Sequence, residues 1–139
     1  MRFSSTTEYA LRVLALMART PAERFSVRRL HEALDLPEKY LGRLMRQLAE
    51  AGLLTATRGK NGGYELATPA DEVSLLKIVE ICEGLDSFHR CMLGLDWCDP
   101  KHPCALHAQV AEPRADFCRL LERTTVAHVA HSSAQRLRR

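Results

Sequence analysis

Leu53-Leu54-Thr55-Ala56-Thr57-Arg58-Gly59-Lys60-Asn61-Gly62-Gly63-Tyr64-Glu65-Leu66 decides how the residues around it are to be read. The first five residues have strand composition, Arg58 to Gly63 is a glycine-rich turn with two cations, and Tyr64-Glu65-Leu66 can return as a paired strand. The stretch reads as a β-hairpin. Its three glycines permit positive φ and close approach to a phosphate backbone, while Arg58 and Lys60 put charge near phosphates or within a minor groove. A glycine-rich loop can also cradle a nucleotide. This one has neither the Gly-Lys-Ser/Thr ending of a P-loop nor the strand-to-helix setting of a dinucleotide fingerprint, so nucleotide binding is set aside.

Upstream of the hairpin lie two helices. Ser26 is expected to cap a short one that buries Val27, Leu30 and Leu34, and Asp35-Leu36-Pro37 breaks it. The next, from about Glu38 to Ala51, buries Leu41, Leu44, Met45 and Leu48 and ends at Gly52. Lys39, Arg43 and Arg46 recur on another face at steps of four and three. Two helices joined by a three-residue break fit a helix-turn-helix whose second helix enters a major groove, or an ordinary helical hairpin with a solvated charged side. The β-hairpin tips the choice, because it supplies a wing. Further upstream, Ala10, Val13, Leu14 and Met17 predict a helix over residues 5–19, opened by a capping box from Ser5 to Glu8 and followed by Pro21.

Downstream, a helix is expected after Thr68-Pro69, running to about Glu83 with Val73, Leu76, Val79 and Cys82 on its apolar stripe and Gly84 at its end. Then comes Cys91-Met92-Leu93-Gly94-Leu95-Asp96-Trp97-Cys98-Asp99-Pro100-Lys101-His102-Pro103-Cys104-Ala105-Leu106-His107. Gly94, Pro100 and Pro103 exclude a continuous helix, so the thiols belong to a shaped loop. Six residues separate Cys91 from Cys98 and five separate Cys98 from Cys104. That is wider than paired zinc cysteines usually stand and suits a larger inorganic centre. From about Ala105 a long segment carries Leu106, Val110, Phe117 and Leu121 on one face, with Pro113 predicted to kink it near Gln109. A lone helix does not bury such a stripe, so pairing with a second copy in a two-fold dimer is expected. Thr124-Thr125 reads as a break before a short last helix, and Gln135 to Arg139 as a basic, frayed end.

Bulk properties narrow the function classes. The 139 residues, 46% hydrophobic and 27% charged, suit one globular unit with a modest core, and disorder is excluded. No apolar run approaches the roughly 20 residues of a membrane span. No signal-peptide pattern opens the chain, and five cysteines fit a secreted disulfide framework poorly, so a cytoplasmic location is expected. The net charge is only +3, but residues 1–68 hold 11 Lys/Arg against 7 Asp/Glu while residues 69–139 hold 9 against 10. The basic excess therefore falls on the helix-turn-helix half, as a nucleic-acid face requires. No nucleophile, base and orienting group form a readable set, so the chain is not read as an enzyme.

Met1-Arg2-Phe3-Ser4 leading into Tyr9-Ala10-Leu11-Arg12, Glu38-Lys39-Tyr40-Leu41, the turn from Arg58 to Leu66 and the three-cysteine loop together resemble the Rrf-two type of bacterial transcription regulators. The resemblance, which takes in IscR-like and NsrR-like members, covers nearly the whole chain. It implies a mainly α fold with a small β-hairpin wing: a winged helix-turn-helix DNA-binding region (1–84), a cluster-binding loop (85–107), and a long C-terminal dimerisation helix with its tail (108–139). It further implies a homodimer on inverted-repeat promoter DNA, usually a repressor. An iron-sulphur cluster near the dimer interface would sense nitric oxide, redox state or iron-sulphur status. Ala56 stands where the family is expected to carry serine, a change at a phosphate contact rather than in the fold.

The resemblance leaves the fourth ligand beside Cys91, Cys98 and Cys104 open. IscR-like members use a histidine at the position of His107 with a 2Fe-2S cluster, whereas NsrR-like members resemble this chain at Glu8, whose carboxylate would come from the partner chain to a 4Fe-4S cluster. His107, three residues after Cys104 and within one helical turn, is preferred, and His102 is a weaker third choice. For DNA, Arg43 or Arg46 is expected to read base edges, with Lys39, Tyr40, Arg58 and Lys60 completing the contact surface, the lysines and Arg58 mainly on phosphates. Two rivals stand beside this. The same fold could carry zinc on Cys91, Cys98, Cys104 and His107 or use its thiols as a redox sensor, or the chain could be an iron-sulphur electron carrier.

Overall fold

The computed structural model describes residues 3–132 in the order α1 (Ser5–Ala18), α2 (Val27–Leu34), α3 (Glu38–Glu50), β1 (Leu54–Thr57), β2 (Gly63–Leu66), α4 (Leu75–Glu83), α5 (Asp86–His89), α6 (His107–Arg123) and α7 (Val126–Ser132). Met1 and Arg2 of the family-like opening, and the basic end from Gln135 to Arg139, lie outside the described residues.

Three helices begin on a serine whose side chain accepts a backbone N–H of the first turn: Ser4 from Thr7, Ser26 from Arg29 and Ser74 from Lys77, at 3.1 to 3.2 Å. Such a cap contributes about 1 kcal/mol by satisfying a donor that the helix leaves unpaired. For α1 this corrects the expected Ser5–Glu8 box. Ser4 is the extended residue (φ −60°, ψ 155°) and Ser5 is already helical, so the capping partner is Thr7. Glu8 sits one place further in, its N–H on the Ser4 carbonyl at 2.9 Å.

Between α2 and α3 the chain turns at Asp35, whose φ of 54° is left-handed, and buries Leu36 before Pro37. α3 then buries Leu41, Leu44, Met45 and Leu48, the four residues its periodicity predicted, and Gly52 at φ 80° follows its end. These side chains join Ala10, Val13, Leu14 and Met17 of α1, Leu30 and Leu34 of α2, and Ile78 and Val79 of α4 in one core. Each fully buried leucine or isoleucine there contributes about 1.5–3 kcal/mol through removal from water.

The hairpin pairs β1 with β2 antiparallel from Leu54↔Leu66 to Thr57↔Gly63. Phe25, just before α2, adds an isolated bridge to Tyr64, each N–H donating to the other carbonyl at 2.9 Å. Two of the turn's glycines are demanded by this packing. A Cβ on Gly62 would lie 2.3 Å from the Thr57 carbonyl oxygen, and one on Gly63, at φ 144°, would lie 3.0 Å from that of Phe25.

The second half departs from its sequence pattern in two places. α4 starts at Leu75, not just after Pro69, because Val73 and Ala70 are spent on α7: the Val126 and Ala127 N–H groups donate to their carbonyls at 2.9 and 3.0 Å. α6 contains Pro113, as expected, but part of its apolar stripe, expected to face a second copy, is covered within the chain. Phe117 stacks between Phe3 and Phe88 at centroid distances of 6.5 and 5.8 Å, and Leu121 enters the core. Among the described residues no helix is long and apolar enough to cross a membrane.

Candidate metal centre and recognition surface

The cysteine loop begins where α4 stops. Gly84 turns the chain at φ 74°, α5 makes a single turn, and from Cys91 the backbone folds in a series of tight bonds. Gly94, at φ 69°, donates to the Cys91 carbonyl at 3.0 Å and Cys98 to that of Leu95 at 3.1 Å. The Asp99 carboxylate accepts the N–H groups of Lys101 and His102, both at 2.7 Å, and His107 donates to the Cys104 carbonyl at 3.0 Å. Arg114 of α6 reaches back to the Arg90 carbonyl at 3.0 Å, tying the helix to the start of the loop.

These turns gather three side chains that the sequence separates. The Sγ atoms of Cys91, Cys98 and Cys104 all lie within 4.8 Å of one another, and Cys91 and Cys104 are 3.6 Å apart. His107, the first residue of α6, puts Nδ1 at 3.2 Å from the Cys98 sulphur. Histidine and cysteines are all half-buried. The group in which every donor lies within 4.8 Å of every other is the three cysteines: His107 reaches it through Cys98, while Glu8, half-buried on α1, and the exposed His102, whose Nδ1 faces Asp99 at 3.3 Å, are outside it.

The loop's dipoles act on the thiols unequally. The Leu95 N–H, opposed by desolvation and helped by the Leu93 N–H and the neighbouring thiols of Cys104 and Cys98, lowers the Cys91 pKa to about 7. At Cys98 the Cys104 N–H favours the thiolate, but desolvation and the sulphurs of Cys104 and Cys91 outweigh it, and the thiol is pushed up. The His102 N–H, opposed by desolvation and joined by the Lys101 N–H, holds the Asp99 carboxyl below its usual range. Cys82 is of another kind. Burial, with Glu83 beside it, raises it to about 11 despite a hydrogen bond with Thr7, as befits a packing residue.

On the opposite half, Lys39, Arg43 and Arg46 are exposed along α3, and Arg58 and Lys60 are exposed at the wing tip. Tyr40 is half-buried, its hydroxyl hydrogen-bonded to that of Thr6 and its ring edge-on to Tyr9 at 5.4 Å. Four further contacts had no local signal in the sequence, because their partners lie 34 to 76 residues away. Arg24 donates to the Asn61 carbonyl at 3.4 Å and pairs with Glu65 at 3.5 Å, bracing the wing. The Gln47 amide donates to the Ile81 carbonyl at 2.7 Å, and the fully buried Thr7 hydroxyl donates to Glu83 at 2.5 Å. Helices α3 and α1 are thus both fastened to the end of α4, after which the cysteine loop follows.

Comparison with known proteins agrees with this architecture. Residues 3–132 match the model of the Rrf2 family, described as iron-dependent transcriptional regulators. Among solved structures, the chain is similar to the oxidised form of Staphylococcus aureus CymR at 27% identity, with a TM-score of 0.73 over 94% of this chain and 96% of that one. The same fold occurs in B. subtilis CymR, called the global cysteine regulator, at 22% identity and TM-score 0.76 over 95% and 98% of the two chains. T. potens IscR also shares it, at 22% identity and TM-score 0.76 over 97% and 91%. A winged helix-turn-helix with this extent of match belongs to the Rrf2 family of transcriptional regulators.

Proposed function

We propose that this regulator binds inverted-repeat promoter DNA as a cytoplasmic homodimer, usually repressing, under control of an iron-sulphur cluster on the loop from Cys91 to His107. The observation that carries the reading is the convergence of three thiols within 4.8 Å of one another on a loop joined to both α4 and α6. Such a donor set fits the group. Thiolates are the usual protein ligands of iron-sulphur clusters, and histidine can replace one. Cys91, Cys98 and Cys104 hold the cluster, and His107, with Nδ1 already at 3.2 Å from Cys98, is the favoured fourth ligand over Glu8 of the partner subunit. Bound there, the cluster supplies a centre that oxidants or nitric oxide can alter.

The response reaches DNA as a difference in affinity between two arrangements of the loop. Movement at Cys91 or His107 bears on the ends of α4 and α6, and through Gln47 and Thr7 on α3 and α1. Arg43 and Arg46 read base edges, Lys39, Arg58 and Lys60 bind phosphates, and Tyr40 seats the start of the recognition helix against α1. The second copy covers an apolar surface that one chain leaves open: the large exposed hydrophobic side chains among the described residues are Met92, Leu93, Trp97 and Leu120, all in the loop or on α6.

One observation favours a second reading. A tetrahedral zinc ion with Zn–S bonds of about 2.3 Å sets its sulphurs about 3.8 Å apart, close to the 3.6 Å between Cys91 and Cys104, with His107 available as fourth ligand. The function is tested by fluorescence anisotropy on promoter DNA containing an inverted repeat, with metal-loaded and metal-free protein. Loaded and metal-free chains should differ in affinity, and Lys60→Gln should weaken binding to all sequences and reduce the salt dependence by about one phosphate contact. Equal affinities of loaded and metal-free protein would defeat the proposed control.

A further inference from the structure

We infer that the metal-free chain forms a reversible disulfide between Cys91 and Cys104, and that this bond closes the loop to metal until it is reduced. The second half rests on the metal-binding reading; the first does not. Three features single out the pair. Their sulphurs stand 3.6 Å apart, so bond formation at about 2.05 Å requires an approach of about 1.5 Å. Unlike the helical Cys82 and Cys118, both residues lie outside the helices, as Cys98 also does, and no helical ladder resists that movement. The third thiol, though within 4.8 Å of both, has a further partner that they lack, since Cys98 faces the His107 imidazole at 3.2 Å.

The other two cysteines have no such neighbour. Cys82 is in α4 with Thr7, and Cys118 is in α6, both apart from the thiol group. The loop itself is open to a small oxidant on its polar side, because Asp96, Asp99 and Lys101 around the half-buried thiols are exposed and are not part of the apolar surface assigned to the second copy.

With hydrogen peroxide the chemistry balances. One sulphur attacks a peroxide oxygen and breaks the O–O bond, giving a sulphenic acid and one water. The second sulphur attacks the first and expels another water, so two thiols lose two electrons and two protons to one peroxide. The product ties up two of the three clustered thiolates. Only Cys98 and His107 remain as donors, too few for a cluster or a tetrahedral zinc site. Loading would then answer to the thiol redox balance before any chemistry of a bound cluster begins.

The test uses the full-length chain, stripped of metal, reduced and freed of reductant, then treated with one equivalent of hydrogen peroxide. Two of the five free thiols should disappear, with a mass loss of two hydrogens. Tryptic peptides 91–101 and 102–114 should become linked, and the link should persist in Cys98→Ala and vanish in Cys91→Ser and Cys104→Ser. Oxidised protein should take up neither iron with sulphide nor zinc until dithiothreitol restores the thiols. Full retention of thiols, a link that needs Cys98, or equal loading of oxidised and reduced protein would overturn the inference. A reduced chain that binds neither iron nor zinc, yet forms the Cys91–Cys104 bond, would instead defeat the metal reading and leave the disulfide standing.

Discussion

Replacing Thr7 with valine keeps the shape of a fully buried side chain and removes one hydroxyl. That hydroxyl donates to the Glu83 carboxylate at 2.5 Å and lies 3.1 Å from the Ser4 hydroxyl, joining the first turn of α1 to the last turn of α4. A hydrogen bond to a charged acceptor contributes about 1.5–3 kcal/mol. Glu83 is exposed and can recruit water in place of the lost donor, while it keeps the Ser4 N–H at 3.3 Å, so the cost falls at the low end, about 1.5 kcal/mol. In urea, with a slope of about 1.5 kcal/mol/M, the unfolding midpoint should fall by about 1 M with the slope unchanged. Thr55→Val, on an exposed strand position, serves as control and should stay within about 0.5 kcal/mol of the parent. A double-mutant cycle with Glu83→Gln should give a coupling of about 1 kcal/mol. A Thr7→Val midpoint matching that of the control, or strictly additive double-mutant losses, would show that the α1–α4 contact is not held as described.

Other perturbations address the core, the wing and the thiols. Leu44→Ala should cost about 2–5 kcal/mol in chemical denaturation, because the α3 side chain is fully buried and its cavity cannot be filled by water. Gly62→Ala should lower the affinity for DNA while leaving helical circular dichroism intact, since a Cβ 2.3 Å from the Thr57 carbonyl forces the turn open at a cost of about 1–3 kcal/mol; unchanged binding would remove the wing from the contact surface. In metal-free protein, alkylation followed by mass mapping should label Cys91 with a rate rising through about pH 7, the thiolate being the reactive form, while Cys82 at about 11 stays nearly inert at neutral pH. Comparable labelling of the two at neutral pH would contradict the assigned electrostatics.

The parts legible in the sequence are those whose partners are near in the chain. α3 shows its four buried residues by period alone, and the Ser26 cap and the Asp35 break are local chemistry. The α1 cap falls on Ser4 and not on Ser5, a choice the residue types leave open, because each serine has a possible partner three places on, Thr7 or Glu8, and only backbone torsion separates them. The start of α4 is hidden from the local sequence because Ala70 and Val73 look like helix residues until α7, more than fifty residues later, takes their carbonyls. The stripe on α6 reads from sequence as a face for a second chain because nothing near Phe117 announces that Phe3 and Phe88 will flank it. At the candidate centre, residue types and the Cys104–His107 spacing pointed to one cluster of donors. The close approach of Cys91 to Cys104, across a loop with two prolines, required the fold.

Most direct is the metal content of the chain itself, purified anaerobically and assayed for iron, sulphide and zinc alongside its visible spectrum, in wild type, Cys98→Ala, His107→Ala and Glu8→Ala. A coloured wild type holding iron and sulphide, lost in Cys98→Ala and in His107→Ala but kept in Glu8→Ala, is the expected result. A colourless wild type carrying zinc would contradict the cluster, and a cluster that survives His107→Ala but not Glu8→Ala would move the fourth ligand to the partner subunit's Glu8.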